Sequence, residues 1–116
     1  MLYADFHGYL VFEDGTVTNK HGRKVKPTPI INRNGRTYFK YRLHINRKLE
    51  RWYAQRLLAW CFLGPFSADD FKLMVVDHID NDPRNNHLDN LKVVTQEENL
   101  RRRRAMEEDR NNEPPF

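Results

Sequence analysis

The sequence predicts an α+β fold, in which an N-terminal antiparallel β-sheet with a packed helix precedes a strand–loop–strand–helix unit. Apolar and polar residues alternate over residues 38–45, which is the pattern of a half-buried strand. Residues 54–63 have apolar side chains at helical spacing and are followed by Gly64 and Pro65, a pair typical of a helix end. Two short apolar runs, 74–76 and 91–94, flank a polar stretch, which predicts two strands joined by a loop.

Short strands joined by turns are predicted for the first part of the chain. Residues 9–12 and 16–18 flank Asp14 and Gly15, and an Asp-Gly pair between two such runs is typical of a hairpin. Residues 27–29 contain two prolines, which exclude a helix there. The N-terminal sheet therefore begins with a hairpin and an extended connection.

The strand predicted over residues 38–45 has two different faces. One face is apolar, and after a turn at 46–48 the chain is expected to return as a second strand over 49–53. The other face and the turn are basic and aromatic, so they are candidates for DNA contact, although a plain solvent-exposed face is the alternative. These candidates are Tyr38, Lys40, Arg42, His44, Arg47 and Lys48.

Charge is distributed unevenly along the chain. Residues 1–64 contain 12 Lys and Arg against 4 Asp and Glu, whereas residues 65–116 contain 8 against 12, which gives net charges of +8 and −4. A basic region can neutralise phosphates, and an acidic region can bind a cation. The pattern therefore favours a nucleic acid as the partner.

Length and cysteine content set further limits. A chain of 116 residues forms one domain, or two small modules that share a surface. Cys61 is the single cysteine, which excludes a disulfide within the chain and a cysteine-based zinc site. The first residues lack the features of a signal peptide, and no apolar run is long enough to span a membrane. We therefore expect a soluble, cytoplasmic protein with no membrane partner.

The C-terminal unit has potential catalytic groups at the ends of its elements. Asp77 and His78 follow the first apolar run, and the polar stretch after them is expected to form a compact loop. Thr95 and Glu98 form a capping box after the second run, so Asn99 lies in the first turn of a helix. Such a unit brings Asp77, His78 and Asn99 towards one point. Two hard oxygen ligands beside an imidazole are what a metal-assisted phosphodiesterase needs, and they suit Mg²⁺.

In these positions the sequence resembles the HNH endonucleases, in their His-Asn-Asn variant. The resemblance rests on His78, Asn90 and Asn99, with Asp77 before the histidine. The segments DHIDNDPRNNHLDNL and VTQEEN look like the free-standing and intron-encoded homing endonucleases of phages. Several spaced positions must match together, which makes the resemblance more specific than a single short motif. The N-terminal half resembles, less specifically, small sheet-plus-helix DNA-binding modules that include those similar to the AP2 domain.

The resemblance implies a ββα-metal nuclease site with a role for each residue. Asp77 and Asn99 would hold one Mg²⁺, or another hard divalent cation such as Mn²⁺, against the scissile phosphate. His78 would deprotonate the attacking water, and Asn90 would support the loop without binding the metal. The family match does not make Asp80 a metal ligand. For Asn99, the alternative to metal binding is that it is an ordinary residue of the first helical turn.

The function implied is a metal-dependent DNA endonuclease of the phage homing type, acting on double-stranded DNA in the host cytoplasm by a nick or a double-strand break. The expected modules are a basic DNA-binding module at 1–64, the HNH motif at 65–110 and a disordered tail at 111–116. The arginine run 101–104 adds two candidate DNA contacts, Arg101 and Arg104. At most two of these arginines can face one duplex, and a solvated helix face is the alternative.

Two other functions stay open at this stage. The protein could bind DNA without cutting it, although the intact set of Asp77, His78 and Asn99 argues against this. It could also be an HNH nuclease that acts in DNA packaging or restriction. Whether it is a monomer or a dimer is not decided by the sequence.

Overall fold

The structure, a computed structural model, describes residues 1–101, and these form three small antiparallel sheets and three α-helices. The strands are β1 (Tyr3–Phe6), β2 (Tyr9–Phe12), β3 (Val17–Thr18), β4 (Thr28–Ile31), β5 (Thr37–Ile45), β6 (Lys48–Tyr53), β7 (Met74–His78) and β8 (Leu91–Thr95). The helices are α1 (Ala54–Phe62), α2 (Ala68–Lys72) and α3, which begins at residue 96 and is described to residue 101; a 3-10 turn (Leu88–Asn90) precedes β8. The sheet orders are β1-β2-β3, β4-β5-β6 and β7-β8.

The first sheet contains the predicted hairpin and one additional strand. β2 pairs with β3 across the turn that contains Gly15, which confirms the hairpin. β1 pairs with β2 and was not predicted from the sequence. Its residues give little signal, because Phe6 is the only buried side chain among its four. The connection is a tight turn at His7 and Gly8, both with positive φ.

The second sheet shows the predicted two-faced strand. Along β5 the side chains of Tyr41, Leu43 and Ile45 are buried, whereas the residues between them are exposed. A two-residue turn at Asn46 and Arg47, with φ values of 51° and 66°, leads directly into β6. Positive φ at both positions is the geometry of a type I′ hairpin. The sequence predicts Lys48 in the turn, whereas in the structure it is the first residue of β6.

Helix α1 lies at the centre of the molecule. It starts at Ala54, directly after β6, and packs against strands of all three sheets. Its leucines, Leu57 and Leu58, are fully buried, which fits the apolar helical spacing of this segment. One hydrophobic core therefore joins the sheets on both sides of residue 64, and the division into modules at that residue stays a prediction. Buried members of this core include Phe6, Val11, Val17, Leu43, Phe71, Val76 and Leu91.

The third sheet connects α2 to α3. Ser67 caps α2, because its hydroxyl accepts a hydrogen bond from the Asp70 amide at 3.1 Å. Thr95 caps α3 in the same way, accepting from the Glu98 amide at 3.1 Å, which confirms the predicted helix start. No helix within residues 1–101 is long and apolar enough to cross a membrane. The predictions for Arg104 and for the tail lie outside the described residues.

Candidate active site

An open cleft of about 840 Å³ lies between the second sheet, α1 and the β7–β8 hairpin. The predicted metal ligands Asp77 and Asn99 and the predicted base His78 line this cleft. They come from the end of β7 and the first turn of α3, as the order of elements in the sequence predicts. Basic, amide and aromatic groups from other elements line it as well: Arg36, Tyr38, Tyr53, Gln55, Arg56 and Lys92.

The predicted metal ligands in the cleft are one carboxylate and one amide, from Asp77 and Asn99. Within residues 1–101 there is no group of three or more His, Cys, Asp or Glu that could hold a metal ion. A sparse oxygen set fits Mg²⁺ or a similar hard cation, which takes one or two protein oxygens and completes its coordination with water and phosphate. It does not fit a structural zinc site, which needs four protein ligands. Lys92 lies opposite Asp77 in the β7–β8 register and adds a positive charge to the cleft.

The imidazole of His78 has a defined partner on one side. Its Nε2 lies 2.8 Å from Oδ1 of Asn86 in the β7–β8 loop. Asn86 is only 8% exposed, so its amide is buried in the loop. Tyr38 approaches the same ring edge-on, with 6.3 Å between ring centroids. Nothing in the sequence distinguishes Asn86, because it is one of several asparagines in a polar loop.

Asn90 lies at the end of the β7–β8 loop, and its side chain forms hydrogen bonds with other residues of that loop. Its side-chain oxygen accepts from the Asp80 amide at 3.0 Å, and its nitrogen donates to the Asp80 carboxylate at 2.8 Å and to the Asn85 carbonyl at 2.9 Å. These bonds join the two ends of the loop, which is the geometry that a supporting role for Asn90 requires. The Asp80 carboxylate also accepts from the Asn85 side chain and the Asp82 amide, both at 2.8 Å. Hydrogen bonds from Asn85, the Asp82 amide and Asn90 lower the pKa of Asp80 to about 2.

The predicted DNA-binding residues of β5 share one face of the second sheet. Residues directly opposite in an antiparallel pair point to the same side, so β6 contributes to this face too. Arg51 lies opposite Arg42, and Tyr53 lies opposite Lys40, whose ammonium is 4.3 Å from the tyrosine ring centroid. Arg51 and Tyr53 were not predicted from the sequence, because pairing across strands depends on the register. We call this surface the basic face; it consists of Tyr38, Lys40, Arg42, His44, Arg51 and Tyr53.

The basic face continues into the cleft. Tyr38 packs edge-on against Tyr53 at 6.1 Å between centroids and against His78 on its other side. The exposed Arg47 and Lys48 lie in and beside the β5–β6 turn, at the end of the sheet away from these tyrosines. Arg101 is exposed on α3 and forms an ion pair with Glu97 at 2.7 Å.

Arg56 is a further cleft residue that the sequence analysis did not identify. Its guanidinium donates to the carbonyls of Met74 at 2.8 Å and Phe71 at 2.7 Å, and it lies 4.2 Å from the Phe71 ring centroid. Partial burial lowers the pKa of Arg56. Because these contacts join α1 to the start of β7, Arg56 supports the cleft and also places a positive charge in its wall.

The segment that forms most of this cleft has a known counterpart. Residues 53–101 match the HNH endonuclease family. This HNH segment starts at the last residue of β6 and contains α1, the β7–β8 hairpin and the described part of α3. It includes Asp77, His78, Asn90 and Asn99, and it leaves out the first sheet and β4 and β5.

A solved structure extends the likeness to the N-terminal sheets. The chain is similar to the HNH homing endonuclease I-HmuI, in a structure that concerns DNA binding and cleavage by that enzyme, with a TM-score of 0.69 and 29% sequence identity. The match covers 91% of this chain and 59% of that chain, so this chain spans less than two thirds of the length of I-HmuI. A comparison with curated proteins gives no match.

Proposed function

We propose that this protein is a metal-dependent endonuclease that hydrolyses phosphodiester bonds of double-stranded DNA in the cleft of the HNH segment. The observation that carries the proposal is that Asp77, His78 and Asn99, which all lie in the segment that matches the HNH endonuclease family, line one cleft. The two oxygen donors and the imidazole are the groups that phosphodiester hydrolysis with a single cation requires.

Each cleft residue has a task in this proposal. Asp77 and Asn99 would hold Mg²⁺ or Mn²⁺, which would supply positive charge opposite the phosphate and the leaving 3′ oxygen. The imidazole of His78 accepts a proton from the attacking water. The water oxygen bonds to phosphorus, the bond from phosphorus to the 3′ oxygen breaks, and that oxygen takes a proton from solvent. Arg56 and Lys92 add positive charge to the wall where the phosphate binds.

DNA is proposed to lie along the basic face and to enter the cleft past Tyr38. Two arginines directly opposite each other, Arg42 and Arg51, repel in the free protein, so the pairing is better explained by a polyanionic partner than by stability. The region 1–64 would then act as the DNA-binding module, as its net charge of +8 also favours. One site cuts one strand, so a monomer would nick, and a double-strand break would need two nicks or a dimer.

A phage homing role is the biological part of the proposal. It is supported by the loop sequence and by the similarity to the homing endonuclease I-HmuI. Mapping of cleavage products on phage and host DNA tests it, because a homing enzyme cuts at a defined site and not at many.

A plasmid-nicking assay tests the enzymatic proposal. Supercoiled DNA should become open-circular with Mg²⁺, and His78→Ala should reduce the rate about 100- to 10,000-fold while DNA binding is retained. Thermal unfolding of the variant is the control for folding. If the wild-type protein binds duplex DNA but leaves it intact with Mg²⁺ and with Mn²⁺, it is a DNA-binding protein that does not cut.

A further inference from the structure

We propose that Asn86 is a positioning residue, which holds the His78 imidazole in the tautomer that has its hydrogen on Nε2. The inference rests on the proposed function, since it assigns a task to a side chain that supports the proposed base. It starts from a buried amide whose oxygen lies 2.8 Å from the ring nitrogen. Buried polar groups in folded proteins are nearly always hydrogen-bonded, and an amide oxygen can only accept.

The direction of this hydrogen bond decides which nitrogen of His78 is basic. A neutral imidazole has one N–H group, and if Nε2 donates to Asn86 the lone pair is on Nδ1. Nδ1 is then the nitrogen that takes the proton from water. When the ring becomes charged, the Nε2–H bond to Asn86 persists and strengthens, because charge-assisted hydrogen bonds are stronger than neutral ones. The ring therefore keeps its orientation during proton transfer.

Asn86 is itself held by the turn of the N-terminal hairpin. The backbone of Gly15 packs so closely on it that a Cβ atom there would lie 3.0 Å from the Asn86 carbonyl oxygen. Two residues further on, the Leu88 amide donates to the carbonyl of Glu13 at 2.7 Å. The Tyr41 hydroxyl, which projects from β5, donates to the Gly15 carbonyl at 2.6 Å. The N-terminal sheets thus form the support against which Asn86 holds the imidazole.

A second contact secures the other end of the same loop. Arg36, the residue before β5, donates through its guanidinium to the carbonyl of Asn81. The loop is therefore attached to the N-terminal region at both ends, near 81 and near 86–88. These attachments keep Asn86 in place, so its Oδ1 stays within hydrogen-bond distance of the His78 ring.

The simpler interpretation is that Asn86 only closes the loop and that the imidazole contact is incidental. The two interpretations differ in what happens to the ring and to the chemical step. A loop-closing asparagine would affect stability, whereas a positioning asparagine affects the tautomer and the turnover number without affecting DNA affinity. Two substitutions of similar size separate them: Asn86→Leu removes the acceptor, and Asn86→Asp keeps it.

The first measurement does not depend on DNA cleavage by any of the proteins. Long-range ¹H–¹⁵N correlation spectra of protein with ¹⁵N-labelled histidine report the tautomer of each ring. They are recorded at a pH well above about 6.5, the pKa of histidine in model peptides, so that the rings are neutral. The signal that is missing in His78→Ala is the signal of His78. The wild-type protein and Asn86→Asp should show hydrogen on Nε2. Asn86→Leu should show a mixture of tautomers or hydrogen on Nδ1. Hydrogen on Nδ1 in the wild-type protein would overturn the proposal, whatever the variants do.

The second measurement is single-turnover nicking with Mg²⁺ at saturating DNA. Asn86→Leu should be slower by about 10- to 100-fold, as for other residues that orient a site histidine, and Asn86→Asp should recover most of the rate. DNA affinity should be the same in all three proteins. A wild-type rate in Asn86→Leu would overturn the proposal. If no protein nicks DNA while the spectra show the expected tautomers, the proposed function fails and the Asn86–His78 contact stands.

Discussion

Replacing Arg42 or Arg51 by glutamine should weaken DNA binding and at the same time slightly stabilise the free protein. The two arginines are exposed and lie directly opposite each other across β5 and β6. Like charges at opposed positions destabilise a sheet, so removal of one should raise the free energy of unfolding by about 0.2 to 0.5 kcal/mol at low salt. The same change removes a positive charge from the proposed DNA-binding surface.

The size of the binding effect follows from counterion release. Each phosphate contact contributes about 0.9 to the slope of log affinity against log salt, so each single variant should lose about 0.9 and the double variant about 1.8. Between about 50 and about 200 mM salt, one contact corresponds to a change of about 3.5-fold in affinity. An arginine that contacts a base edge would behave differently, with a loss of about 1 to 3 kcal/mol on the target sequence alone.

Fluorescence anisotropy with one target duplex and one random duplex, measured across a salt series, distinguishes these outcomes. Thermal unfolding without DNA gives the stability of each variant. Arg23→Gln is the matched control, because Arg23 is also exposed but lies outside the second sheet. If Arg42→Gln and Arg51→Gln bind both duplexes like the wild-type protein at every salt concentration, the basic face is not the docking surface. Arg101 and the arginines after it then become the better candidates.

Three further predictions concern the metal and the loop. EDTA should abolish nicking, and added Mg²⁺ or Mn²⁺ should restore it, because two protein oxygens bind a cation weakly. Circular dichroism should show the same fold with and without EDTA. If EDTA unfolds the protein, the metal is structural and the site assignment is wrong. Asn90→Ala removes three hydrogen bonds across the loop, so it should lower the free energy of unfolding by about 1 to 3 kcal/mol and slow nicking, and an unchanged melting temperature would contradict its supporting role. The pKa of Asp80 is lowered to about 2, so its carboxylate stabilises the folded protein at pH values above its ordinary pKa of about 4, and this stabilisation is lost as the pH falls from about 4 towards 2. Asp80→Asn should therefore reduce the fall of the melting temperature over this pH range.

Local patterns in the sequence predicted the parts of the fold that depend on local physics. Alternation over 38–45 predicted β5 and its two faces, because side chains in a strand point alternately to either side. The hydroxyl of Thr95 and its partner at Glu98 predicted where α3 begins, and this places Asn99 at the cleft. Capping and alternation are properties of a few neighbouring residues, so the sequence contains them directly.

The features that the sequence did not predict depend on contacts between distant residues. Arg51 joins the basic face only through the register with Arg42. Asn86 contacts His78 across the loop and packs against Gly15, which lies far away in the sequence. Arg56 looks like an ordinary polar helix residue until its carbonyl partners are known. In each case the side chain type was visible, but its partner was set by tertiary packing.

The direct junction of β6 with α1 has a consequence for where the DNA would be cut. Tyr53 ends the strand on the basic face and Ala54 begins the helix, with no connecting residue between them. The surface that would bind the duplex and the cleft that would cut it are therefore joined without a linker, and α1 packs against the strands of both. This arrangement would keep the number of base pairs between the bound stretch of DNA and the cleaved bond constant. A flexible insertion between these two residues would turn one cleavage position into a spread of neighbouring ones.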